Sequence, residues 1–230
     1  MYLAIDSASP TLSLALHDGQ TILAEHTLRV GNQHNTLLAP AVQHILEVCG
    51  VSPGQIVALA VAKGPGSYTG LRIGIALAKG LAGARQLPLL AFSTLDIVAE
   101  GAPSPAKANH GTLLAVIAAG RGRIIHRLYT ARKGNWIAEG EAAIGTWEAL
   151  LPTLAEDVLI SGEVDATGLA LLDGFPKLTL VPAVHRLRRA AVLAQMAIDL
   201  LNDTPREDWS TRFAPQHIQP VYLNTASVPG

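Results

Sequence analysis

Gly64-Pro65-Gly66-Ser67-Tyr68-Thr69-Gly70-Leu71-Arg72-Ile73-Gly74 follows, after Lys63, the uninterrupted apolar run of residues 56–62. A short run without polar alternation suits a strand buried on both faces in the middle of a sheet. Glycines mark the turn, and a long helix over about residues 69–83 follows, apolar nearly all round. On it Gly70, Gly74, Ala78 and Ala82 stand four apart, a ridge of small residues that lets another helix approach closely. A strand, a glycine turn and a helix in this order belong to an α/β lobe. The turn could also cradle a phosphate, because such a loop points backbone N–H groups and the positive helix end at whatever precedes it. However, the Walker ending Gly-Lys-Ser/Thr is absent, and Gly64, Gly66 and Gly70 miss the dinucleotide fingerprint by one position. A tight structural turn is the favoured reading, with a vestigial nucleotide or phosphate site at Asp6, Ser7, Gly64, Gly66 and Ser67 as the functional alternative.

Outward from this stretch, residues 2–5, 12–16 and 21–28 read as three strands of an antiparallel meander, parted by turn residues. Residues 35–49 read as a helix ending at Gly50, with one apolar row at Leu38, Val42, Ile45 and Cys49 and a second at Leu37, Ala41 and Val48. Pro40 allows this helix either to begin near Leu37 or to bend. After a strand at residues 89–92 and a helix capped by Ser93, the run Gly101-Ala102-Pro103-Ser104-Pro105 breaks the pattern. The expected lobes are therefore residues 1–105 and 106–230. The second should hold strands at 113–118, 124–130 and 136–138, a helix after Thr146, strands at 158–161 and 178–181, and a helix over 186–201 with Leu187, Ala191, Ala194, Ile198 and Leu201 on one face. A tail with Pro215, Pro220 and Pro229 is expected to wrap a surface. Three strands followed by alternating helices and strands, twice over, make a mixed α/β chain of two similar halves.

Hydrophobic residues are 49 % of the 230 and charged residues 15 %, a low charge that points to apolar surface covered by a partner. The formal charge of −1 offers no global attraction for a polyanion. A lone Cys49 makes no internal disulfide and is expected to be a buried structural thiol in a reducing compartment. The start of the chain has no basic segment, and Arg72 and Lys79 interrupt the longest apolar stretch, so neither secretion nor membrane insertion is expected.

Chemistry-bearing patterns are few. Asp6, with Ser7 and Ser9 behind it, sits where a nucleotide fold would place a carboxylate, although a turn-forming Asp fits equally well. Without a second carboxylate for a metal pair, phosphoryl transfer lacks the charge neutralisation it needs. The eight histidines (17, 26, 34, 44, 110, 126, 185, 217) never take His-x-x-x-His spacing. His34 begins a helix and can serve as a cap or interface residue, His44 lies on the less apolar side of the same helix, and a solvated or satisfied histidine is the default reading for both. Residues 66–70 lack the Gly-x-Ser-x-Gly nucleophile spacing. Arg121, Arg123 and Arg127, and again Arg186, Arg188 and Arg189, form basic clusters, for which a solvated face is the favoured reading over a phosphate-binding patch.

Ala4-Ile5-Asp6-Ser7, then His34, then the eleven residues from Gly64 to Gly74 closely resemble the TsaB family of tRNA threonylcarbamoyladenosine biosynthesis proteins. The likeness runs on through Leu87-Pro88 and Ser93-Thr94-Leu95 to Pro220-Val221-Tyr222-Leu223, and is dense over the first hundred residues. It implies an actin-like (ribonuclease H-like) fold of two lobes in a catalytically silent, cytoplasmic subunit. That subunit would work with TsaD, which transfers threonylcarbamoyl to adenosine in tRNAs reading codons that begin with A, and with the ATPase TsaE. ATP and metal would belong to those partners, this chain would bind no cofactor of its own, and any tRNA contact would be weak or indirect. Where the related catalytic subunit has metal-binding histidines, this chain reads Ser93-Thr94-Leu95-Asp96-Ile97-Val98, so the resemblance implies no metal site. One departure stands out: many family members carry Asp-Ala-Arg and a following Glu at the first strand turn of the second lobe, and here the stretch is Ala118-Ala119-Gly120-Arg121-Gly122-Arg123. The family's partner surface lies on the first-lobe helices, which makes Leu38, Val42, Ile45, Gly74 and Ala78 the candidates to line or support an interface; burial against their own sheet is the plain alternative. The same face would support a homodimer when the partner is missing. Two rival functions stay open, an ATPase or small-molecule kinase of actin-like fold and a metallopeptidase.

Overall fold

The computed structural model describes residues 1–154 and 157–223. In chain order its strands are β1 (Tyr2–Asp6), β2 (Thr11–His17), β3 (Ile22–Arg29), β4 (Ala58–Gly64), β5 (Leu89–Ser93), β6 (Thr112–Gly120), β7 (Arg123–Arg132), β8 (Asn135–Gly145), β9 (Val158–Gly162) and β10 (Thr179–Leu180). The helices are α1 (His34–Val48), α2 (Tyr68–Gly83), α3 (Thr94–Gly101), α4 (Pro105–Ala108) and α5 (Trp147–Leu150). They continue with α6 (Ala166–Leu172), α7 (Ala183–Arg186), α8 (Ala190–Asn202) and α9 (Trp209–Arg212).

Two five-stranded sheets repeat one plan. The first has the order β3-β2-β1-β4-β5, the second β10-β9-β6-β7-β8. In each, three strands pair antiparallel as a meander and two more add in parallel on the far side of the first. Numbered from its own start, each sheet therefore runs 3-2-1-4-5, the duplicated plan of the actin-like (ribonuclease H-like) fold. Among the described residues no helix is long and apolar enough to cross a membrane.

The chain divides into two compact units that do not split at residue 105. One comprises Met1–Ser93 and Arg189–Val221; the other comprises Thr94–Arg188 with Tyr222 and Leu223. The Gly101–Pro105 break lies inside the second unit, between α3 and α4. It is a genuine turn, but the apolar face of α3, with Leu95, Val98 and Ala99, packs in the core beneath β6, and that fixes its allegiance. The return of residues 189–221 has an equally physical cause. Helix α8 buries Leu193, Ala194, Ala197, Ile198 and Leu201 and packs on β1, β2 and β4. Its first turn is held by side chains of the same sheet: the Ala190 N–H donates to Ser13 Oγ at 2.8 Å and the Ala191 N–H to Glu25 Oε1 at 3.0 Å. These are donors a helix start cannot satisfy internally, and the Glu25 carboxylate also suits the positive helix end. Arg189 adds an ion pair to Glu25.

Local departures from expectation are small. Helix α1 starts at His34 and runs through Pro40, which leaves the Thr36 carbonyl without the helix bond that a residue-40 N–H would give. Leu187 is 48 % exposed and lies between α7 and α8, so α8 is shorter than the helix its apolar pattern suggests over 186–201. β8 is far longer than the expected 136–138, because its alternating exposed and half-buried residues mark an edge strand. Cys49 is half-buried beside the first core. Pro229 lies outside the described residues.

Candidate functional site

β1 and β4 are parallel neighbours, with Ile5 opposite Val61, so both chains leave the sheet at the same end. Open α/β sheets place their ligands at such strand ends. The β1–β2 turn and the glycine turn meet there, which brings Asp6, Ser7, Gly64, Gly66 and Ser67 together.

Several of their polar groups are engaged within the two turns and the start of α2. The Ser67 N–H donates to the Ala8 carbonyl at 2.7 Å, the Ala8 N–H to Asp6 Oδ1 at 3.0 Å, and the Gly70 N–H to Ser67 Oγ at 3.2 Å, capping α2. The Ser7 hydroxyl donates to the Gly70 carbonyl at 2.9 Å and is fully buried, with Asp6 only 1 % exposed. A methyl group on Gly66 would lie 2.2 Å from the Ala8 carbonyl oxygen, one on Gly70 2.1 Å from that of Ser7, and one on Gly74 2.1 Å from Ser7 Oγ. Gly64 has φ +105°, and its methyl would meet the Val221 carbonyl at 2.5 Å. The space above the glycines is thus filled by the chain itself. The small-residue ridge of α2 admits the β1–β2 turn, and the hydroxyl best placed for a phosphate is locked in a buried hydrogen bond.

The five expected interface residues face inward. Leu38, Ile45 and Ala78 are at most 1 % exposed, Val42 is 5 % exposed and Gly74 is buried. Leu38, Val42, Ile45 and Ala78 belong to the core cluster that includes Leu3, Leu14 and Val61. They can support an interface but not line it, with one partial exception. An open groove of about 470 Å³ runs between α1 and α2, and Val42 reaches its wall together with Ala39, Leu46, Val51, Leu77 and Leu81. Ala39 is exposed, Leu77 and Leu81 are half-exposed, and Val48 on the last turn of α1 is 65 % exposed. The sequence signal for this face is the four-residue spacing of Ile73, Leu77 and Leu81, roughly a quarter turn around α2 from the small-residue ridge.

Among the described residues no group of three or more His, Cys, Asp and Glu side chains lies close enough to hold a metal ion. Residues 93–98, where the resemblance implied that metal ligands are missing, form the end of β5 and the first turn of α3, with Thr94 buried. In that helix Asp96 accepts a hydrogen bond from the Tyr129 hydroxyl at 2.7 Å, and Arg127 stands 3.8 Å from the same carboxylate. Burial, then the Asp96 charge, hold the Tyr129 phenol protonated far above its ordinary range. His34 is 2 % exposed, buried rather than presented at a surface.

Comparison with known proteins decides the family. A model of the TsaD family, tRNA N6-adenosine threonylcarbamoyltransferase, matches residues 23–172. The tRNA threonylcarbamoyladenosine biosynthesis protein TsaB of Escherichia coli K12 is 35 % identical over 224 residues, covering 96 % of this chain and 93 % of the relative. The chain belongs to the TsaB family. TsaB of Bacillus subtilis 168 is 33 % identical over 165 residues, with 70 % of this chain and 69 % of the relative covered. The solved structure of YeaZ from Pseudomonas aeruginosa superposes with a TM-score of 0.75 at 28 % identity, over 96 % of this chain and 99 % of that one.

Proposed function

We propose that this TsaB-family chain is a non-catalytic partner of TsaD in threonylcarbamoyl transfer to tRNA, docking through the open side of α1 and α2. The observation that carries the reading is the apolar groove between these helices. It is lined by Ala39, Val42, Leu46, Leu77 and Leu81 and left open in a chain whose charged content is low. Apolar surface of this kind, rimmed by Gln43 and Glu47, suits a helix of a partner protein. The internal filling of the glycine turn supports the silent role, since the Ser7 hydroxyl, the Ser67 N–H and the Gly70 backbone are hydrogen-bonded within the chain and Gly66 is packed against the Ala8 carbonyl. On this reading ATP and metal serve in TsaD and TsaE, the chain acts in the cytoplasm, and the same face forms a homodimer when TsaD is missing.

Ala39→Glu puts a charge into the groove from an exposed position and so leaves the fold intact. Titrated against the cognate TsaD by light scattering, it should weaken the complex at least tenfold, whereas Val57→Glu, at a 40 % exposed site outside the groove, should not. Unchanged assembly with Ala39→Glu would remove the interface from this face. Turnover of ATP or of a peptide by the purified chain alone would instead favour an actin-like ATPase or a metallopeptidase.

A further inference from the structure

A second cavity, of about 350 Å³, lies beside the edge strand β5, where the returning segment 212–221 crosses it. Three basic side chains line it from separate places in the sequence: Lys63 at the end of β4, Arg212 at the end of α9, and His217. Gln219 adds an amide, and no carboxylate is among its described lining residues. None of the three basic groups forms an ion pair with a described carboxylate. The Arg212 guanidinium makes only a long 3.4 Å bond to Thr204 Oγ1 and a face contact with the Phe213 ring, which position it without neutralising it.

The backbone contributes as well. In the parallel ladder the Leu59 N–H donates to the Pro88 carbonyl, so the even-numbered residues of β5 turn their N–H groups toward β4 and the odd-numbered ones outward. Leu89 accordingly donates outward to the Phe213 carbonyl at 2.9 Å. Ala91, the next outward residue, lines the cavity, and the ladder aims its N–H at the same side. Leu90, Leu200 and Ile218 supply apolar walls, and low-dielectric walls strengthen the field of the cations inside.

From this we infer that the Lys63–Arg212–His217 cavity is a binding site for a phosphate group, carried either by a small phosphate ester or by an RNA backbone. Two fixed cations, an imidazole, an amide and an outward backbone N–H match the acceptor oxygens of a phosphate, and Arg and Lys are the side chains suited to it. The formal charge of −1 makes this a local feature rather than a general affinity for polyanions. The site is separate from the groove between α1 and α2, so the proposal stands or falls independently of the partner reading.

The test uses the full chain alone. Inorganic phosphate and AMP are titrated and followed by phosphorus NMR line broadening, and tRNA binding is followed by fluorescence anisotropy across a salt series. The pocket variant is Lys63→Gln/Arg212→Gln. Lys107→Gln/Arg132→Gln removes the same charge from exposed positions elsewhere and serves as the control. His217→Gln is a milder pocket variant should the double variant fail to fold. Phosphate affinity should fall at least tenfold in the pocket double variant, by a smaller factor in His217→Gln, and not at all in the control. If the ligand is an RNA backbone, the pocket variant also lowers the salt slope of tRNA binding by about one; if it is a small phosphate ester, the slope stays and only AMP and phosphate are lost. Absence of phosphate and AMP binding by the unaltered chain, or equal losses in pocket and control variants, would overturn the inference.

Discussion

A methyl group placed on Gly74 probes whether the glycine ridge is an internal lock. Its Cβ would lie 2.1 Å from Ser7 Oγ, and ordinary contact begins near 3.4 Å, so about 1.3 Å must be found (3.4 − 2.1). Ser7 can yield only by rotating its hydroxyl out of the buried 2.9 Å bond to the Gly70 carbonyl. Loss of such a bond with its donor still buried costs about 1–3 kcal/mol, as does overpacking of a well-filled site. Replacing glycine in a helix returns roughly 1 kcal/mol, so with both costs present the net expectation is a destabilisation of about 1–5 kcal/mol. Gly80, on the same helix with nothing within 4 Å of its Cβ position, supplies the contrast: Gly80→Ala should stabilise by about 0.5–1 kcal/mol. The decisive variant is Ser7→Ala/Gly74→Ala. Ser7→Ala alone should cost about 1 kcal/mol, because the Gly70 carbonyl keeps its helix bond. With Oγ removed, the new methyl meets the Cβ of residue 7 at 3.2 Å and Ile5 Cγ2 at an ordinary 3.7 Å. Urea unfolding followed by circular dichroism should therefore show the double variant less destabilised than the sum of the two single ones by about 1–2 kcal/mol. Additivity within about 0.5 kcal/mol would refute the lock.

Three further expectations follow from particular contacts. The Arg85 guanidinium donates to the Pro53, Gly54 and Ile56 carbonyls at 2.7–2.8 Å, so Arg85→Gln should lower the urea midpoint by an amount equivalent to about 1–3 kcal/mol. Arg188 is buried and pairs with Glu163 at 2.8 Å, and Arg188→Met leaves a carboxylate that is 28 % exposed, with a destabilisation of about 1–3 kcal/mol, below that of a fully buried pair. Tyr129 has its folded pKa raised by burial, with Asp96 adding to the shift. Its contribution to stability is full below the unfolded value of about 10 and declines as pH rises above it, since only the unfolded chain then ionises. Unfolding free energy measured at rising alkaline pH should fall less steeply in Tyr129→Phe than in the unaltered chain.

Much of the first unit was legible in advance, because its elements carry local signals. The apolar run of residues 56–62 reads as a central strand, and the glycines after it as a turn onto α2. The boundary was less legible. The Gly101–Pro105 break announces a turn, but which core α3 joins depends on Leu95, Val98 and Ala99 meeting β6, a tertiary fact without a local signature. The same holds for α8, whose apolar face is plain in the sequence while its seat on β1 and β2, held by Ser13 and Glu25, is not. On α1 both apolar rows are visible in the sequence, but the row Leu38, Val42 and Ile45 faces the sheet, whereas Val48 of the other row is exposed. Periodicity reports that a helix has an apolar face; it does not report what covers that face. Likewise the glycine turn was recognised, but only the structure places Ser7, Ala8 and Val221 in the space where a ligand or a side chain would otherwise sit.

The central claim is that this chain works through TsaD. Its most direct test is threonylcarbamoylation of tRNA by the cognate TsaD and TsaE, assayed with this chain, without it, and with Ala39→Glu in its place. Activity that requires the chain, and that falls in step with the weakened complex in Ala39→Glu, is the predicted result; modification that proceeds equally well without the chain would contradict the account.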